Sequence, residues 1–138
     1  MDIFIDTNIF LRVLVKGNDD KVFNDCCRLL EKVKFKKFHG YTSSLVLAEI
    51  NWTLGSYYSL PRQDAAEALQ GIINLKNLGI TDNFNASYAI ALYKETNIKF
   101  VDCLIASIKE IRIGNIPVVS YDKDFDRIGV RRLEPCKL

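Results

Sequence analysis

Four carboxylate-bearing segments are spread along the chain, each placed where its acid could reach one shared cleft. They are Ile3-Phe4-Ile5-Asp6-Thr7-Asn8, Leu45-Val46-Leu47-Ala48-Glu49, Val101-Asp102-Cys103-Leu104-Ile105-Ala106 and Val118-Val119-Ser120-Tyr121-Asp122-Lys123-Asp124-Phe125. Asp6 and Asp122 follow short β-branched runs, where a buried parallel strand would end. Like carboxylates gathered in one place repel and resist ionising together. A hard divalent cation such as Mg²⁺ prefers oxygen ligands and relieves that cost. The set therefore points to a metal-dependent enzyme.

Taken one at a time, these acids have simpler uses. Asp6 and Asp102 could cap helices, which is the commoner role of aspartate at a helix start. Asp122, Asp124 and Asp126 could be turn residues, and Glu49 a surface charge. Four such coincidences, each beside a strand end or a helix start, are harder to accept together than one shared site.

Elements must exist to bring these acids together. Met1 to Ile5 reads as a buried first strand, and Asp6-Thr7-Asn8 as a helix entrance to the apolar run Ile9 to Val15. After a turn at Gly17 to Asp20, Val22, Cys26, Leu29, Leu30 and Val33 recur at helical spacing, predicting a helix to about Lys37. Tyr41 to Ser44 supplies a short strand and an N-cap, with Glu49 on the border of the apolar stripe of the next helix. Pro61 opens another helix, carried by Ala65, Leu69, Ile72, Ile73 and Leu75 and ended by Gly79. Phe84 to Leu92 is a shorter helix. Asp102 heads a helix marked by Ile105, Ile108 and Ile111, with its carboxylate facing away from the core. Ile116 to Ser120 and Val130 to Leu133 read as strands. The order implies an α/β sandwich with a small, mostly parallel sheet, and ligands of open α/β sheets bind beyond the carboxyl ends of the strands.

Composition narrows the class. At 138 residues, 49% apolar and 26% charged, the chain fits one soluble domain with a single core, residues 1–138. No run of eighteen apolar residues suggests a membrane span. The start, Met1-Asp2-Ile3-Phe4, is too short and acidic for a secretory signal, so a cytoplasmic location is expected. Cys26, Cys27, Cys103 and Cys136 show no zinc-ligand spacing and are expected to be reduced thiols; the lone His39 reads as a surface residue. The net charge of +2 does not advertise nucleic-acid binding. The basic stretch Lys32, Lys34, Lys36 and Lys37 reads first as a solvated helix face, and as backbone contacts only once a phosphodiester substrate is argued. A glycine-rich phosphate loop is absent, which argues against nucleoside-triphosphate chemistry.

In that order and spacing, Ile-Asp-Thr-Asn, a helical Ala-Glu, Val-Asp-Cys-Leu-Ile-Ala and Ser-Tyr-Asp-Lys-Asp-Phe-Asp resemble the PIN domain, over almost the whole chain from Asp2 to about Leu133. Among PIN proteins the compact chain is most similar to the VapC-type toxin ribonucleases. The resemblance implies a three-layer α/β/α sandwich with a twisted sheet and a Mg²⁺- or Mn²⁺-dependent endoribonuclease acting on RNA. It implies a catalytic quartet of Asp6, Glu49, Asp102 and Asp122, with metal held by Asp6, Asp102, Asp122 and Asp124. Asn8 would orient Asp6, and Ser120 would line the pocket. The fourth acid stays open among Asp122, Asp124 and Asp126, with Asp122 favoured as nearest the strand end. Arg12, Lys34, Lys36 and Lys37 are candidate phosphate contacts. A homodimer and a VapB-like antitoxin are the implied partners. A processing nuclease without antitoxin, and an inactive PIN-like nucleic-acid-binding scaffold, are the alternatives.

Overall fold

A computed structural model describes residues 1–138. Strand β1 (Asp2–Ile5) leads through helices α1 (Thr7–Leu14) and α2 (Asp20–Lys34) to β2 (His39–Thr42). Helices α3 (Ser44–Ser56) and α4 (Arg62–Ile73) follow, then β3 (Leu78–Ile80). The chain returns through α5 (Ala86–Glu95), α6 (Phe100–Ser107) and α7 (Lys109–Arg112) to β4 (Val118–Val119). A 3₁₀ segment, Lys123–Ile128, connects β4 to β5 (Arg132–Leu133), and a last 3₁₀ turn spans Pro135–Lys137.

The sheet is wholly parallel, with strand order β3-β2-β1-β4-β5. The first crossovers step outward from β1 to β2 to β3, and the next returns past β1 to β4. Right-handed crossovers that travel in opposite directions lay their helices on opposite faces. Accordingly α1 packs on α2 and α3, and α3 on α4, whereas α5 packs on α6 and α6 on α7. Both faces of the central strand are thus covered, which is why Ile3, Phe4 and Ile5 are all buried rather than alternating. They join Ile9, Phe10, Leu29, Ile50, Ile105, Val118 and Phe125 in one core. No helix is long and apolar enough to cross a membrane.

Local chemistry sets the helix starts. Asp19 accepts from the Val22 amide, Ser43 from Val46 and Asn85 from Tyr88, each satisfying an end donor. Asp82, beyond β3, accepts from the amide and hydroxyl of Ser44, at 2.8 and 2.7 Å, and so anchors the start of the helix that carries Glu49.

Several expected boundaries move. α2 ends at Lys34, and Lys36 adopts a left-handed φ of 63° in the turn before β2. The expected helix end at Gly79 is instead strand β3, too short and too glycine-interrupted to carry a period. Gly79 is small for a reason: a Cβ there would lie 3.3 Å from the Tyr41 ring. The single helix expected from Asp102 to Ile111 breaks at Ile108, whose backbone is extended. Ser107 Oγ donates to the Leu104 carbonyl at 2.6 Å and accepts from the Asn85 amide at 2.9 Å, so the residue before the break bonds locally. Strands expected over Ile116–Ser120 and Val130–Leu133 shrink to two residues each.

Candidate active site

The strand order reverses beside β1, with β2 on one side and β4 on the other. The carboxyl ends of β1 and β4 flank a topological switch point, the general location of ligand crevices in open α/β sheets. Asp6 follows β1, and Ser120 and Asp122 follow β4.

Three side chains clasp these two strand ends. Ser120 Oγ donates to Asp6 Oδ2 at 2.7 Å and accepts from the Asp122 amide at 3.0 Å. Asn8 Nδ2 donates to both Asp6 Oδ2 (3.2 Å) and Ser120 Oγ (2.9 Å), while its Oδ1 accepts from the Tyr121 amide. Behind them, Arg132 donates to the Ser120 carbonyl at 2.8 Å. Although Asp6 stands at the N-cap position of α1, its side chain makes no cap bond. The simple capping role therefore fails for Asp6, whose carboxylate is bonded to Ser120 and Asn8 instead. Burial pushes its pKa upward against the opposing hydrogen bond from Ser120.

Asp102 differs most from expectation. It lies in the first turn of α6, but its carboxylate points inward and is 1% exposed, not facing away from the core. Its Oδ2 has no hydrogen-bond partner. Burial, reinforced by nearby Asp6, Asp122 and Glu49 and opposed by Lys99, raises its pKa to about 8. An orphaned buried carboxylate oxygen is rare and costly. Asp102 lies among other acids: carboxylate oxygens of Asp102, Asp122 and Asp124 lie within 4.8 Å of one another. Three oxygens at that spacing suit a hard divalent cation. Asp6, whose Oδ2 is bonded by Ser120 and Asn8, is not one of that trio.

Among the three acids after β4, the roles separate. Asp122 caps the 3₁₀ segment, accepting from the Asp124 amide at 3.0 Å, and still joins the trio. Asp124 also lies 3.4 Å from Arg127. Asp126 turns the other way and forms a two-pronged pair with Arg132 at 3.0 and 3.2 Å. It holds the β4–β5 connection rather than facing the trio.

Glu49 sits in the second turn of α3 and completes the acidic rim. Its Oε1 accepts from Thr7 Oγ1 at 2.9 Å, and its Oε2 lies 3.7 Å from Lys99 Nζ. Lys99 is also 3.9 Å from Asp102 Oδ1. Burial acts to lower its pKa, but Asp102, Glu49, Asp6 and Asp122 together hold it above the ordinary value. Sequence reasoning passed over both Thr7 and Lys99. The available signal for Lys99 was its place three residues before an acid at a helix start.

The other basic residues diverge. Arg12 lies over the Tyr121 ring, 6.0 Å from its centre, beside the acid-bearing loop. Lys34, Lys36 and Lys37 precede β2, which puts them at the amino-terminal edge of a parallel sheet, the edge opposite the acids. The sheet direction therefore does not bring them to the site. All four cysteines are free, and His39 is exposed.

The profile of the PIN domain family matches residues 3–131. This chain belongs to the PIN domain family. Among known PIN relatives, the VapC ribonuclease of Aquifex aeolicus is 27% identical over 131 residues, covering 95% of both chains. The crystal structure of VapBC2 from Rickettsia felis, bound to a DNA fragment from the promoter, aligns at a TM-score of 0.67 and 26% identity, covering 97% of this chain and 98% of that one. Mycobacterium tuberculosis VapC20, a sarcin–ricin-loop-cleaving toxin, shares the fold at a TM-score of 0.64 and 20% identity, over 93% and 95% of the two chains. The VapC-like PIN fold and the α/β sandwich expected from the sequence are both present.

Proposed function

We propose that this PIN protein is a divalent-ion-dependent endoribonuclease, the toxin of a VapBC-type pair. The observation that carries the reading is the trio of Asp102, Asp122 and Asp124, in which Asp102 is buried with one carboxylate oxygen unpartnered. That donor set fits Mg²⁺ or Mn²⁺: all oxygen, and negatively charged at a cost that only a cation offsets. A bound ion supplies the Lewis acidity that makes water a competent nucleophile near neutral pH.

The chain's own groups do the remaining work. Asp102, Asp122 and Asp124 would hold the ion together with Asp6, whose carboxylate Asn8 and Ser120 orient. Glu49, held by Thr7, orients or deprotonates the attacking water from the α3 side. In-line attack on the phosphodiester leaves a 5′-phosphate and a 3′-hydroxyl. The presence of every acid of the quartet argues against an inactive scaffold. A VapB-like antitoxin partner is supported by the VapBC2 relative, a toxin–antitoxin complex on promoter DNA. Such a partner would offer an arginine to the carboxylates in place of the ion. A homodimer accompanies this reading.

The test is cleavage of a mixed pool of structured and single-stranded RNA with Mg²⁺ or Mn²⁺, comparing native protein with Asp6→Asn and Asp102→Asn. Native activity abolished by EDTA is expected. Asp102→Asn should lose on the order of 100-fold or more, the upper range for losing even an indirect ion contact. Variants that cut as well as the native chain would overturn the proposal.

A further inference from the structure

Lys99 Nζ lies between two carboxylates without being hydrogen-bonded to either: 3.7 Å from Glu49 Oε2 and 3.9 Å from Asp102 Oδ1. Its side chain is 55% exposed and caps nothing, although the residue occupies the N-cap position of α6. A half-exposed cation loosely shared by two acids is free to move. The other cation paired with the trio, Arg127, lies 3.4 Å from Asp124. A divalent ion seated on Asp102, Asp122 and Asp124 would repel the Lys99 ammonium and supply the charge that holds it there. The flexible four-carbon stem then lets the ammonium turn toward the next available anion, the phosphate whose ester bond is to be cut.

We propose that Lys99 is a substrate-positioning residue, parked between Glu49 and Asp102 until the ion arrives and then bound to a non-bridging oxygen of the scissile phosphate. The proposal rests on the nuclease reading above. It makes ion and phosphate binding mutually reinforcing through one side chain, because each relieves the other's competition for the same seat.

Mn²⁺ affinity, measured by titration calorimetry, and affinity for a single-stranded RNA pool in Ca²⁺ over a series of salt concentrations test it. Both are compared in the native chain, Lys99→Met and Lys99→Arg. Lys99→Met should bind Mn²⁺ about 2- to 5-fold more tightly, the equivalent of one weak ion pair, that with Asp102, removed from competition. The same variant should bind RNA about 10-fold more weakly, as for loss of one hydrogen bond to a charged group. Its log–log salt dependence should be shallower by roughly 0.7, the signature of one lost phosphate contact on a single strand. Lys99→Arg should restore both affinity and slope. A native protein that binds and cuts RNA, beside a Lys99→Met variant with unchanged RNA affinity and slope, overturns this role and leaves the nuclease reading intact. Native protein that binds Mn²⁺ but neither binds nor cuts RNA overturns both.

Discussion

Asp122 and Asp126 sit four residues apart with the same side chain, and their surroundings assign them opposite work. Asp122 Oδ1 caps a 3₁₀ segment while the group still joins two other carboxylates. Asp126 is spent on Arg132, whose side chain is largely buried. Asp122→Asn should therefore weaken Mn²⁺ binding by about 10- to 100-fold with little loss of stability. Asp126→Asn should leave Mn²⁺ affinity within about 2-fold of native but lower stability by roughly 1 kcal/mol, discounted for the solvent screening at an exposed acid. Calorimetric titration beside thermal melts separates the two. Equal loss of ion affinity in both variants would contradict this division.

Each strand end delivers its residue to the switch point only if the neighbouring strands approach closely enough to fix the register. Gly40 pairs with Ile3 of β1 and Leu78 of β3. A Cβ there would lie 2.9 Å from Val33 Cγ1 and 3.1 Å from Leu78 Cδ1. Gly40→Ala should thus cost about 1–3 kcal/mol through overpacking. Gly55, near the end of α3, meets nothing within 4 Å, and Gly55→Ala should stabilise by about 0.5–1 kcal/mol through reduced backbone entropy. Urea unfolding of both variants checks the opposite signs, and neither should change ion affinity, since both positions lie away from the acids. Helix spacing was legible because burial follows it: Cys26, Leu29 and Val33 are buried in α2, and Val46, Ile50 and Leu54 in α3. β3 is a three-residue edge strand with no fully buried residue and a glycine at its centre, too short to carry an alternation, so it escaped notice.

Charge placement makes the stability of the whole molecule depend on pH and on the ion. The folded pKa of Asp102, about 8, lies above its ordinary value of 3.8, and Asp6 shifts in the same direction. In that interval the folded state holds more protons than the unfolded chain, so stability falls as pH rises. The contribution is fully present below the unfolded pKa and is lost as pH passes through the folded one. In EDTA, the melting temperature should therefore decline between pH 5 and pH 8.5, and Asp102→Asn should flatten that decline. Added Mg²⁺ should raise the melting temperature most at the alkaline end, where the carboxylate is ionised and ready to bind. A native protein with equal Mg²⁺ stabilisation at both pH values would count against Asp102 as a ligand.

Residue type and order along the chain were enough for the α/β class and the PIN resemblance, because strand ends and helix starts are local features and the four acid-bearing motifs are short. Partners in space were not legible. Asn8 and Ser120 are 112 residues apart, and only the β1–β4 pairing brings them to 2.9 Å. The inward turn of Asp102, the diversion of Asp126 to Arg132 and the approach of Lys99 to Glu49 likewise arise from packing between distant segments. Parallel strand direction also separates Lys34, Lys36 and Lys37 from the acids. A linear pattern records which groups are available; burial, register and sheet direction select the ones that meet.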